Sequence, residues 1–238
     1  MTEDLAATDA YLRDTSATVV SVGDDGIVLD RTVFYARGGG QPGDTGVLEW
    51  PGGLVSITDT FKRSGETVHV PGGAAPAVGT EVTARIDWNR RHTLMRTHTA
   101  LHVLCGVVWR DYGAQVTGGN MEPGSGRMDF EFERMSGELV GEIEAKVNAE
   151  LAAARDVRVA VLPREEAFAI PDLIRTKINL LPDGIREVRT IEIVGLDLQA
   201  DGGTHVANTR EVGQIRVTGY ESKGRINKRI RIELVDPA

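Results

Sequence analysis

Two histidines, His98 and His102, stand four residues apart in the stretch Arg96-Thr97-His98-Thr99-Ala100-Leu101-His102-Val103-Leu104. The stretch reads as helix, and positions i and i+4 of a helix lie one turn apart on one face. Both imidazoles therefore point the same way and can reach a single metal ion. The plainer alternative is two packed histidines on a half-apolar helix. Far downstream, Asp201 and His205 repeat the spacing in Asp201-Gly202-Gly203-Thr204-His205. Three imidazoles and a carboxylate make a donor set that suits zinc. Gly202 and Gly203 would let that loop fold tightly around an ion; the plainer alternative here is an Asp-Gly-Gly turn with an incidental histidine. Thr99 stands where an H-E-x-x-H metalloprotease carries its glutamate base, which disfavours that protease mechanism.

The elements that must position these groups follow from the apolar pattern. Asp87 can cap a helix from about Asn89 to Tyr112, with Leu94, His98, Leu101, His102, Cys105, Val108 and Trp109 inward. Before it, from Thr15 to about Asp87, short strands alternate with turns. They include Thr32 to Tyr35, Gly46 to Trp50, Leu54 to Ile57, Thr67 to Val70 and Glu81 to Ile86, punctuated by Pro51-Gly52-Gly53 and Pro71-Gly72-Gly73. Strands this short and evenly spaced indicate a small barrel. The leader, residues 1–14, reads as a short helix or strand with Tyr11 and Leu12 against the body. Within the barrel region, Gly38-Gly39-Gly40-Gln41 permits backbone geometry and close approach that other residues refuse, as a tight corner or as a binding element.

After the histidine helix, Gly113 to Gly126 reads as a polar, glycine-rich loop over the site. Met128, Phe130 and Phe132 alternate as a half-buried strand. A second helix follows Ser136, with Val140, Ile143, Val147 and Leu151 inward. Strands follow at Val157 to Val161, Val188 to Val194, Ile215 to Val217 and Ile230 to Leu234. The expected architecture is two domains: residues 1–88 as a glycine-rich β-barrel, and residues 89–238 as an α+β domain with an antiparallel sheet and helices.

Composition narrows the class. The chain has 238 residues, a formal net charge of −8 and one cysteine, Cys105. No internal disulfide can form, no apolar run approaches the ~18 residues that cross a bilayer, and the start is acidic rather than signal-like. A soluble cytoplasmic protein is expected. The negative charge argues against broad nucleic-acid binding and against a DNA partner. A local basic cluster nevertheless occurs at Lys223, Arg225, Lys228, Arg229 and Arg231, with Arg90, Arg91 and Arg96 beside the histidine helix. It could hold RNA phosphates or simply guard an edge strand.

The chain resembles the free-standing alanyl-tRNA editing proteins, the AlaX family, in the medium form, related to the editing domain of alanyl-tRNA synthetase. Four motifs in order carry the resemblance: Gly38-Gly39-Gly40-Gln41 with Asp44-Thr45-Gly46; His98 to His102; Asp201-Gly202-Gly203-Thr204-His205-Val206; and Ser222-Lys223-Gly224. The resemblance implies an ATP-independent deacylase that clears misacylated tRNA(Ala), chiefly Ser-tRNA(Ala) and in some members Gly-tRNA(Ala), and no membrane partner; a monomer is expected. It implies zinc held by His98, His102, Asp201 and His205, with the three histidines catalytic. One departure stands out. The family carries a cysteine where this chain has Asp201, so the ligand is harder, and Cys105, one turn from His102, is a second possible donor. The resemblance further implies an amino-acid pocket closed by Gly38, Gly39, Gly40 and Gln41; Gln115, Asn120 and Thr204 are polar candidates for contacts near it. It implies tRNA contact by the basic cluster. Two other classes remain open: a tRNA- or partner-binding protein with a degenerate metal site, and a metal hydrolase of small esters.

Overall fold

The computed structural model describes residues 2–175 and 184–235. The chain divides into two compact units, Met1–Thr93 and Leu94–Ala238.

In the first unit, β1 (Glu3–Asp4) pairs in parallel with β4 (Arg31–Thr32). The body is a closed antiparallel barrel. Its strands are β2 (Asp14–Gly23), β3 (Gly26–Leu29), β5 (Gly46–Trp50), β6 (Gly53–Arg63), β7 (Glu66–Pro71) and β8 (Glu81–Ile86), in the order β2-β3-β7-β6-β5-β8. Alternate residues point inward. Val82, Ala84 and Ile86 of β8 meet Val55 and Ile57 of β6 and Leu48 of β5 in one apolar core with Leu29 and Phe34. Closure leaves no open strand edge.

The segment after β4 departs from the expected strand. Only Arg31–Thr32 are strand, although Val33 to Ala36 are buried. Its backbone groups are taken by side chains instead. Arg91, fully buried, donates to the Val33 carbonyl at 2.6 Å and to the Ala10 carbonyl at 2.9 Å. Asp44 accepts the Tyr35 amide at 2.7 Å and the Arg91 Nε at 2.9 Å. Tyr11 packs as expected, its ring 5.7 Å from Trp88. Leu12 does not; it is 37% exposed.

In the second unit, β9 (Val116–Glu122), β10 (Ser125–Glu131), β14 (Gln214–Ser222) and β15 (Asn227–Val235) form an antiparallel sheet ordered β14-β15-β10-β9. A second sheet runs β11 (Val157–Pro163), β12 (Glu187–Ile193), β13 (Asp197–Ala200). The helices are α1 (Trp88–Tyr112), which begins in the first unit, α2 (Gly137–Ala152) and α3 (Arg164–Ala169). Ser136 caps α2 by accepting the Leu139 amide at 3.2 Å, and Val140, Ile143, Val147 and Leu151 are its buried face. α2 also finishes the outer edge of β14. Asn148 bonds both the amide and the carbonyl of Ile215 at 2.9 Å, and Glu144 accepts the Val217 amide at 2.6 Å.

One further expectation changes, and one strand takes an exposed place. Gly113 to Gly126 is not a loop: β9 and β10 form a hairpin about Pro123-Gly124, with Val116 paired to Phe130 and Asn120 to Arg127. Cross-strand pairing and the buried Val116 and Met121 override the low strand propensity of its glycines. The strand at Val157 to Val161 exists, but as an edge whose Val159 and Val161 are exposed. Among the described residues no helix is long and apolar enough to cross a membrane.

The barrel holds one titratable group with a clear consequence. His69 is buried, bonded at Nε2 to Thr32 Oγ1 (2.7 Å) and at Nδ1 to the Ile27 carbonyl (3.0 Å). Burial pushes it down to about 4, against the opposing Ile27 bond. The unfolded chain takes that proton near pH 6.5, whereas the folded chain refuses it until about pH 4. Stability is therefore full above pH 6.5 and lost as pH falls through that window, by about 2 kcal/mol at pH 5. Urea unfolding at pH 7.5 and pH 5 should show this loss in the wild type, and His69→Gln should flatten the difference by about that amount. Equal pH dependence in both would contradict the assignment.

Candidate metal centre

The central element is α1. Asp87 caps it, its Oδ1 accepting the Arg90 amide at 3.1 Å, a bond type that contributes about 1 kcal/mol. Residues 97–108 are buried on every side, so the helix is more enclosed than the half-apolar pattern predicts. β10 packs closely on it, since a Cβ built at Gly126 would lie 3.0 Å from a methyl of Leu101. The hairpin turn is fixed by the Gly124 amide, which donates to Thr97 Oγ1 at 3.0 Å.

The structure brings His98, His102, Asp201 and His205 together. One donor atom from each lies within 4.8 Å of the others. His205 Nε2 is 3.1 Å from Asp201 Oδ2, and His98 Nε2 is 3.6 Å from Asp201 Oδ1. The His98 and His205 rings stack with centroids 4.3 Å apart, and His102 meets His205 edge-on at 4.7 Å. The loop that carries Asp201 is tightly held. Asp201 Oδ2 accepts the Gly203 amide at 2.6 Å, and Arg189 donates to the carbonyls of Asp201 (3.0 Å) and Gly203 (2.8 Å).

Electrostatics favour the neutral state that a metal requires at His98 and His205, but not at His102. Burial drives His98 well below the usual imidazole range, against the pull of Asp201, and drives His205 down to about 4. For His102 burial also opposes the charge, but the Asp197 and Asp201 carboxylates outweigh it and the net shift is upward. Burial alone would raise Asp201; the His98 and His205 imidazoles reverse that and hold it well below the usual carboxylate range. The neutral His98 and His205 nitrogens beside the ionised Asp201 are a ready ligand set, which His102 joins on giving up its proton. Three nitrogens and one oxygen at this spacing fit a four-coordinate divalent ion after small side-chain adjustments.

Cys105 lies outside this cluster. It is buried on α1, and burial pushes its thiol upward, away from the thiolate form that binds metal.

Partners of the histidines were not foreseen. Thr99 Oγ1 is 3.1 Å from His205 Nδ1 and accepts the Val206 amide at 3.3 Å. Asp197 Oδ2 is 3.3 Å from His102 Nδ1. A signal existed: Asp197 and Gln199 alternate along β13 and Asp201 follows just past its end, a period-2 pattern of polar groups.

The remaining predicted residues fall elsewhere. Gly38, Gly39, Gly40 and Gln41 belong to the barrel unit. They form a turn closed by Gln41 N to Gly38 O (2.9 Å) and Gly38 N to Gln41 O (3.1 Å), with φ of 57° at Gly39 and 86° at Gly40. Positive φ at both central positions is what glycine supplies there. Gly38 and Gly39 are exposed and Gln41 is buried. Gln115 precedes β9 and Asn120 lies on it, both exposed; Thr204 is buried next to His205. Of the basic cluster, Lys223 and Arg225 are exposed at the β14–β15 turn. Lys228 is buried and donates to the Gly224 and Arg225 carbonyls at 2.8 Å. Arg229 grips Asp129 at 2.7 and 2.8 Å, and Arg231 pairs with Glu221 at 2.7 Å. Arg90 and Arg96 likewise bond main-chain carbonyls, of Gly43 (2.7 Å) and Val212 (3.0 Å).

Comparison with known proteins gives the family. Residues 8–90 match the family described as tRNA synthetases class II (A). Residues 188–231, which include Asp201 and His205, match the threonyl and alanyl tRNA synthetase second additional domain. The alanyl-tRNA editing protein AlaX-M of Saccharolobus solfataricus is 36% identical over 97% of this chain and 98% of its own length. That of Methanosarcina barkeri is 37% identical over 99% of this chain and 100% of its own length. The chain belongs to the AlaX-M family of alanyl-tRNA editing proteins. The alanine–tRNA ligase of Pyrobaculum arsenaticum is 38% identical over 92% of this chain, a match that spans 25% of the ligase. The chain is thus similar to one segment of a much longer synthetase.

The cluster generates a direct test. His98→Ala, His102→Ala and His205→Ala should each lose zinc binding by at least tenfold in competition with a chromophoric chelator, whereas Cys105→Ala should retain wild-type affinity. Loss in Cys105→Ala with retention in His205→Ala would refute the ligand set.

Proposed function

We propose that this protein hydrolyses the ester bond of misacylated tRNA(Ala), chiefly Ser-tRNA(Ala) and also Gly-tRNA(Ala), at a zinc ion held by His98, His102, His205 and Asp201. The observation that carries the reading is the convergence of those four donors within 4.8 Å, in a chain whose relatives are named alanyl-tRNA editing proteins.

When bound, zinc supplies Lewis acidity, drawing electron density from an ester carbonyl and making water more acidic. The chain's own residues do the rest. Thr99 keeps the His205 ring oriented. Arg189 and Gly203 fix the carboxylate of Asp201. The buried wall of α1 keeps the environment of low polarity, which strengthens each charge interaction. An aminoacyl ester is already activated, so positioning and charge stabilisation suffice, and no carboxylate base is needed between the two helix histidines. Gly38, Gly39, Gly40 and Gln41, with Gln115, Asn120 and Thr204, would take up the aminoacyl end.

The tRNA contact falls to the basic residues that have exposure to spare. Lys223 and Arg225 project at the β14–β15 turn. A groove of about 850 Å³ there is lined by Glu133, Arg134, Ser136, Ser222, Arg225 and Lys228. Such a surface suits acceptor-stem phosphates, read by shape rather than sequence. Lys228, Arg229 and Arg231, already bonded to protein partners, shape the hairpin. The reading places the protein in the cytoplasm as a monomer that needs no ATP.

Purified protein should deacylate Ser-tRNA(Ala) and Gly-tRNA(Ala), spare Ala-tRNA(Ala), and stop after chelation. Untouched Ser-tRNA(Ala) would overturn the proposal. The double variant Lys223→Glu/Arg225→Glu should weaken tRNA binding and lower the slope of log K against log salt by about 2, about one per lost phosphate contact. An unchanged slope would remove those residues from the interface.

A further inference from the structure

Behind His102 lies a second buried carboxylate. The Asp197 side chain is fully buried, with Oδ2 3.3 Å from His102 Nδ1. Oδ2 also accepts from Gln199 Nε2 at 2.6 Å. Oδ1 lies 3.5 Å from Arg175 Nε, and that guanidinium sits 4.7 Å above the Trp109 ring. Among the described residues His102 Nδ1 and Asp197 Oδ1 have no aligned hydrogen-bond partner. The site exists because α1 carries glycine at position 106: a Cβ built there would lie 3.0 Å from Asp197 Cβ and 3.0 Å from Leu196 Cγ.

A buried carboxylate carries a large desolvation cost, which Arg175 partly offsets. Its placement beside one nitrogen of one imidazole has a specific effect. A carboxylate there keeps the proton on Nδ1 and leaves the Nε2 lone pair for a ligand. His205 is treated differently, since its Nδ1 faces only the neutral hydroxyl of Thr99.

We propose that Asp197, held by Arg175 and Gln199, is a positioning residue that fixes the tautomer of His102 and makes it a stronger donor than His205. The inference rests on the metal-centre reading above. It concerns groups outside the ligand set and is testable without turnover.

Asp197→Asn is the informative variant. A carboxylate accepts on both oxygens, whereas an amide presents an NH2 on one side. That NH2 must face either the Arg175 guanidinium or the His102 and Gln199 side; in the second case it favours the proton on Nε2 and blocks ligation. Cobalt(II) titration of the full, metal-free chain, followed by visible absorption, reads both affinity and ligand field. Asp197→Asn with a wild-type circular dichroism spectrum should bind cobalt 10–100-fold more weakly, on the order expected for loss of an outer partner, with a shifted absorption band. Wild-type affinity and band position in that variant would overturn the proposal. If Asp197→Asn does not fold, Gly106→Ala decides, because it displaces Asp197 without altering any charge. It should weaken cobalt binding by a smaller factor, and unchanged binding would overturn the proposal. A wild-type chain that binds no cobalt would overturn the metal-centre reading itself, and this inference with it.

Discussion

A polar ring buried in an apolar interior must satisfy both of its nitrogens, and that constraint organises the second unit. α1 is enclosed along residues 97–108 and carries two imidazoles inside. Unpartnered, each would lose hydration without compensation, at a cost of roughly 1–3 kcal/mol per orphaned group. The chain meets the cost from two directions. Thr99 bonds the outer nitrogen of His205, and Asp197 sets a carboxylate 3.3 Å from that of His102, close but not aligned as a hydrogen bond. Asp201 stands among the inner ones, close to His98 and His205. The arrangement that satisfies burial is the same arrangement that presents convergent lone pairs to a cation.

The barrel solves a related problem with an ion pair. Arg91 and Asp44 are both buried, and such a pair often gains little net stability over apolar packing. Its value here is geometric. Arg91 collects the carbonyls of Ala10 and Val33, and Asp44 collects the Tyr35 amide, so a non-strand segment is held without a ladder. The Gly38–Gln41 turn grows from that segment, closed at its base by two main-chain bonds and by Tyr35 Oη donating to the Gly38 carbonyl at 3.0 Å. A rigid base under an exposed glycine tip is a sensible platform for contact with another molecule.

Much of this was legible in the residues. The barrel strands, the cap at Asp87, the helix after Ser136 and the β14–β15 hairpin follow from period and punctuation, because local pattern and tertiary burial agree there. The two histidine pairs were visible as spacing. That they meet came from the family resemblance, not from the spacing, because His102 and Asp201 are far apart in sequence and no local rule closes that distance. The hairpin of β9 and β10 was hidden by its glycines, whose strand state depends on β10 as a partner. Arg90, Arg91 and Arg96 read as a basic surface, yet each bonds main-chain carbonyls, Arg91 from full burial. Charge in a sequence does not say whether its counterpart will be solvent, RNA or a carbonyl. Asp197 was missed for the opposite reason: one acid in a strand looks ordinary until the helix that it faces is known.

The central claim is that His98, His102, His205 and Asp201 hold one ion while Cys105 stays out of its shell. X-ray absorption at the zinc edge of the loaded protein tests it most directly. The account predicts a first shell of nitrogen and oxygen at about 2.0–2.1 Å with the outer-shell signature of three imidazoles. A sulfur scatterer at about 2.3 Å, or fewer than three imidazoles, would contradict it.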